Sequence, residues 1–140
     1  MSVNANSPQP RWPAWGHDHR WAWHLQSIEP LRTVKTDYLQ KGSLHAVKIL
    51  DSNLNLFSVV DARTLGRAGI FGWRPGFAGT YLRVDPVFRL DRQLDLAEAK
   101  RYVAEFISNH PEVYGSEMSP TQVVSAVRGA ASTEELISFL

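Results

Sequence analysis

The 140 residues contain no cysteine. Disulfides, a thiolate nucleophile, thiolate zinc sites and cysteine-ligated iron–sulfur clusters are therefore excluded. No run of about 18 apolar residues occurs, so no transmembrane helix and no membrane partner are expected. The first ten residues, MSVNANSPQP, lack the basic-then-apolar pattern of a secretory signal, and a cytoplasmic location is the expectation. H-E-x-x-H, the G-x-S-x-G elbow, the Walker lysine and the G-x-G-x-x-G order are missing too. No cofactor is expected, and the chain reads as a non-enzyme.

What is present is ordinary for a globular protein. The hydrophobic fraction is 44% and the charged fraction 21%. Length and composition predict a polar, disordered tail over 1–10 and one globular domain over 11–140. The net charge of +1 is unevenly spread. Residues 1–50 carry six bases and three acids, and residues 51–92 six arginines and four aspartates. Residues 93–140 reverse the sign, with only Lys100, Arg101 and Arg128 against seven carboxylates. A mildly basic body followed by an acidic third suits an anionic partner, or folds back on itself.

Four of the five tryptophans, Trp12, Trp15, Trp21 and Trp23, fall within twelve positions. Alternation places Trp21, Trp23 and Leu25 on one strand face. β-branched and aromatic content predicts further strands over 31–40, 44–50 and 54–61. Lys41-Gly42 and Asp51-Ser52-Asn53 read as the turns between them. The last two strands carry apolar residues at both parities, which predicts cover on both sheet faces, the tryptophan segment on one and a helix on the other. Residues 63–80 hold five of the nine glycines and read as a glycine-permissive loop. Strand character returns at 80–90, with a break expected at Asp85-Pro86. Asp95 with Glu98 forms a capping box for a helix over 95–109, burying Leu96, Ala99, Val103, Phe106 and Ile107. Asn109-His110-Pro111 ends it. Ser119-Pro120 opens a second helix that Gly129 stops, and Ser132 with Glu135 makes another capping box before a short terminal helix. The fold class is α+β: an antiparallel meander of about five strands, one main packed helix and short C-terminal helices.

Metal binding has the candidates His17, His19 and His24, which converge only if the chain turns at Gly16. His45 and His110 lie far apart in sequence, so a triad would need distant segments to converge, and Asp37, Asp61, Asp85 and Asp91 read as turn formers at strand ends. A helix-turn-helix at 121–140 would present Glu134 and Glu135 to phosphate, which argues against it. The pattern that favours binding is Arg63, Arg67, Phe71, Trp73, Arg74, Phe77 and Arg83. Arginine pairs bidentately with phosphate or carboxylate, and a flat aromatic stacks on a base or anchors an interface. The resulting expectation is a small regulatory or accessory binding protein with nucleic acid as its partner. The alternative is an inhibitor or immunity-like antagonist that binds another protein, and a metal-dependent hydrolase on the N-terminal histidines ranks third. The apolar end of the chain leaves room for homo-oligomerisation through its last helix.

Overall fold

The computed structural model describes residues 8–19, 21–35, 43–67, 81–110 and 119–140. The architecture is α+β, as expected, with six strands rather than about five. The strands are β1 (Ala14–His17), β2 (Ala22–Leu25), β3 (Thr33–Lys35), β4 (Lys48–Leu50), β5 (Asn55–Arg67) and β6 (Tyr81–Gln93). Among the described residues the helices are α1 (Leu96–Asn109), α2 (Pro120–Gly129) and α3 (Thr133–Phe139). All strand pairs are antiparallel, in the order β2-β1-β4-β5-β6-β3.

That order forces the sheet to curl. β2 and β3 occupy opposite edges, yet only residues 26–32 join them, and Glu29–Leu31 of that connection form a 3-10 turn. A flat six-stranded sheet is about 24 Å across, whereas such a connection reaches about 23 Å even with every residue outside the turn fully extended straight across the sheet. The two edges therefore approach each other. Ala14, Leu25, Leu31, Leu44, Val47, Ile49, Phe57, Val59 and Phe88 pack together on the concave face. The opposite face carries Trp15, Leu50 and Leu56, which pack with residues of all three helices. Both faces are thus covered, as the apolar parity predicts. The tryptophan segment is not a cover, however: it supplies β1 and β2 of the sheet itself.

The helix ends follow the sequence closely. The Asp95 side chain accepts from the Glu98 amide at 2.8 Å and Glu98 returns the bond at 3.1 Å. Ser119 caps α2 through the Gln122 amide, with Pro120 in the first turn. The Ser132 hydroxyl accepts from the Glu135 amide, but the Glu135 carboxylate turns to the Ala131 amide, so the expected box is half formed. Leu136, Ile137 and Leu140 are buried within the chain's own core.

Other expectations need correction. Residues 43–46 form a 3-10 turn, which leaves β4 only three residues long. Lys41-Gly42 lies outside the described residues. β5 runs through to Arg67, so Arg63 and Arg67 belong to a strand and not to a loop. β6 passes Pro86 unbroken, opposite Ala62. The proline is tolerated because, among the described residues, β3 pairs with β6 only at 81–83, and no other strand lies along the outer edge of β6 at Pro86. Asp61, Asp85 and Asp91 stand within β5 and β6 rather than at their ends, and Asp37 lies outside the described residues. The 51–53 turn forms as read, with buried Asp51 accepting from the amides of Arg11, Asn53 and Asn55, each at 2.9 Å.

Candidate functional site

The arginine–aromatic pattern maps onto the β5–β6 hairpin and the chain that joins its strands. Arg63 faces Asp85 across the hairpin, with Nη2 to Oδ2 at 3.0 Å. Arg83 is exposed, and its backbone lies opposite Gly66 on one side and Thr33 on the other. The Arg67 backbone pairs with Leu82. Phe71, Trp73, Arg74 and Phe77 lie outside the described residues. Arg32, Lys48, Arg63 and Arg89 each lie within salt-bridge distance of a carboxylate. A cation already paired with a neighbouring acid offers less to a phosphate, although an exposed pair holds it by only about 1 kcal/mol or less.

The three N-terminal histidines do not converge. Among the described residues no group of three or more His, Asp or Glu side chains is placed to hold a metal. His19 is exposed at the β1–β2 turn, and His24 meets Gln26 at 2.7 Å. His17 packs instead beneath α1. Its ring lies 4.2 Å from Phe106 and 5.1 Å from Trp15 between centroids. Nδ1–H donates to the Asp18 carbonyl at 2.8 Å, so the neutral ring accepts at Nε2 from the Tyr102 hydroxyl at 2.6 Å.

His17 begins a polar row that crosses the sheet through Lys48 and Ser58 to Arg89, each opposite the next in register. Lys48 Nζ donates to the Ser58 hydroxyl at 2.5 Å and lies 3.3 Å from Asp91. Ser58 donates to Asp91, which also accepts from Arg89 Nε at 2.9 Å. A serine beside a lysine invites a nucleophile–base reading. Here the ammonium is held by Asp91, and the serine is buried with both its bonds made. Burial by itself would raise the Asp91 carboxyl, but the bonds from Ser58, Arg89 and Lys48 outweigh it and hold the group below its ordinary value. The row is a closed ionic network that ties β4, β5 and β6 together.

Burial lowers the His17 pKa below its ordinary 6.5, against the smaller opposing effects of the Asp18 carbonyl and carboxylate. Burial also pushes the Tyr102 hydroxyl up to about 12. Between the folded and unfolded His17 values the unfolded chain binds more protons. Stability is then complete above pH 6.5 and falls as the pH drops through the folded value. Asp91 acts in the same direction in a lower window, below pH 3.8. The midpoint of urea unfolding is expected to decrease from neutral to mildly acidic pH, and His17→Gln should flatten that decrease. An equal slope in the variant would remove His17 as its source.

Among the described residues, the two exposed tryptophans lie at the β2 edge. Leu25 is buried, but on the same strand Trp23 is 36% exposed, and Trp21 just ahead of it is 52% exposed. A groove of about 310 Å³ opens beside Trp23, between Trp23 and Leu25 on one wall and Pro30, Leu31 and Val34 on the other, over Leu44 and Val47. It occupies the mouth of the curl, where the two sheet edges approach. Gly16 stands opposite Trp23 in register. A Cβ there would lie 2.8 Å from Leu25 Cδ1 and 3.1 Å from Ile49 Cδ1, so glycine lets those side chains close over β1. Among the described residues β2 pairs only with β1. The Asp18 amide bonds to the Trp21 carbonyl at 2.9 Å, and antiparallel alternation then aims the backbone groups of Ala22 and His24 at the open edge. The tryptophan alternation was the sequence signal for this site, but it does not distinguish an exposed ring from a core one.

No protein-family model matches the chain, and no curated protein or solved structure does so either.

Proposed function

We propose that the protein is a non-enzymatic binding module for a partner protein. It takes an extended segment of that partner as an added strand along β2, with an apolar side chain in the groove beside Trp23. The observation that carries this reading is the half-exposed Trp23 on an edge strand, lining an apolar groove, with exposed Trp21 just ahead of the strand. Main-chain bonds to Ala22 and His24 would supply affinity, and the groove would supply selectivity. Large aromatics at the rim of a groove are the usual energetic anchors of such contacts. Nucleic acid is the second reading. Arg63 and Arg83 on a long two-stranded ribbon favour it, since a ribbon of this kind fits a major groove. The ion pairs along the sheet count against it.

The test is selection of a random phage-displayed peptide library on the folded protein. Enriched peptides should alternate apolar residues and shift the amide resonances of 22–25. Trp23→Ala should weaken them by about 2 kcal/mol or more. His24→Pro should abolish binding without lowering the unfolding midpoint, because the lost N–H points to the open edge. No enrichment, or binding indifferent to both substitutions, would overturn the reading. Oligonucleotide binding that falls steeply with salt and is lost on changing Arg63 and Arg83 would put the second reading in its place.

A further inference from the structure

The acidic last third of the chain sorts its charge in space. Its three bases, Lys100, Arg101 and Arg128, all line one trough between α1 and α2. On α1 the trough follows a helical stripe through Ala97, Arg101, Ala104 and Ser108, with Glu105 as the one acid on it. It encloses about 450 Å³, and a second depression of about 460 Å³ continues it past Ser108 and Arg128 to Thr121 and Val124. Lys100 is already committed, donating to the Arg128 carbonyl at 2.9 Å, at the end of α2. Arg101 and Arg128 are exposed, and among the described residues neither forms a salt bridge.

We infer that this trough binds an acidic amphipathic segment of a partner protein, with its carboxylates on Arg101 and Arg128 and its apolar side chains over Ala97, Ala104 and Val124. Three features favour that ligand over a compact phosphate. Ala97, Ala104 and Val124 offer apolar contact between the charged and polar groups of the lining. The trough is elongated along two helices, as for a peptide laid in a groove. The helix end beside Arg128 is a C-terminus, whose partial negative charge opposes a dianion, as does Glu105. A singly charged carboxylate meets about half the opposition that a dianion meets there. The site is independent of the β2 edge and lies on other elements of the fold.

The probe is a short fluorescein-labelled peptide of glutamate and leucine at helical spacing, titrated by anisotropy at low salt against the full chain. Saturable binding is expected, with amide shifts confined to 97–108 and 121–128. The double variant Arg101→Glu, Arg128→Glu should weaken it by at least about tenfold. Arg101→Gln with Arg128→Gln, which only neutralises these exposed positions, should weaken it less, and circular dichroism of both variants should match the parent. The His24→Pro variant should bind the peptide unchanged, which separates this site from the β2 edge. Absence of saturable binding, or shifts centred elsewhere, would overturn the inference. Equal affinity for a glutamate peptide lacking leucine, or full displacement by inorganic phosphate at equal concentration, would also overturn it.

Discussion

Trp15→Ala is expected to destabilise the protein by about 4 kcal/mol, the cost of deleting a large aromatic from a packed core. The Trp15 side chain is fully buried and stands where β1 meets α1. Its ring packs edge-on to Phe106 at 5.5 Å and Tyr102 at 6.4 Å, and its backbone lies opposite Leu50 in the sheet. Truncation would therefore open a void shared by the sheet and the helix, which neither can close alone. It also strips one wall from the His17 ring, so the His17 pKa should move back toward its ordinary value. The measurements are the urea midpoint and the His17 titration by NMR. Trp15→Phe should recover most of the stability by keeping an aromatic in the site. A loss below about 1 kcal/mol for the alanine variant would show that the seam relaxes around the missing ring.

The second large effect is at the end of the chain. Leu136 is fully buried, and Leu136→Ala should cost about 3 kcal/mol. Removing 133–140 takes Ile137 and Leu140 as well, and Leu136 and Leu140 belong to the same core cluster as Val123, Val127 and Ala130. A seven-residue helix has no stability of its own, so α3 is held by this packing and contributes to it in return. Because the burial is within one chain, the loss on truncation should be the same at low and high protein concentration. A midpoint that depends on concentration in the full-length protein alone would show that α3 also joins two copies.

What the sequence made legible was local. Asp95 and Glu98, three apart before an apolar stripe, specify where α1 begins, and Ser119-Pro120 does the same for α2, because capping is chemistry between near neighbours. The mixed apolar parity of 44–61 marked a sheet covered on both faces. The rest depends on pairings that no local pattern encodes. β1 sits against β4, about thirty residues on, and β3 crosses to the far edge beside β6, which puts the groove at Trp23 between strands from opposite ends of the sheet. His17 meets Tyr102 from 85 positions away. The glycines at 63–80 suggested a loop, yet Gly66 sits in β5, because long-range pairing overrides a weak local preference. The acidic count of 93–140 described the composition faithfully and concealed that its few bases gather on one side.

The two-sided cover of the sheet has a consequence for how the protein is made. Strands β1, β4 and β5 leave the ribosome before any of the helices that shield Trp15, Leu50 and Leu56. At about 5–20 residues per second, the interval between Leu56 and the end of α1 is roughly 3–10 s, against microseconds for a hairpin to form. Throughout that interval the nascent chain carries a formed but bare apolar sheet face, with β2 open at its edge. The period of greatest aggregation risk for this protein is thus set by gene order, sheet first and helices last, and a chaperone that shields the emerging sheet would act during it.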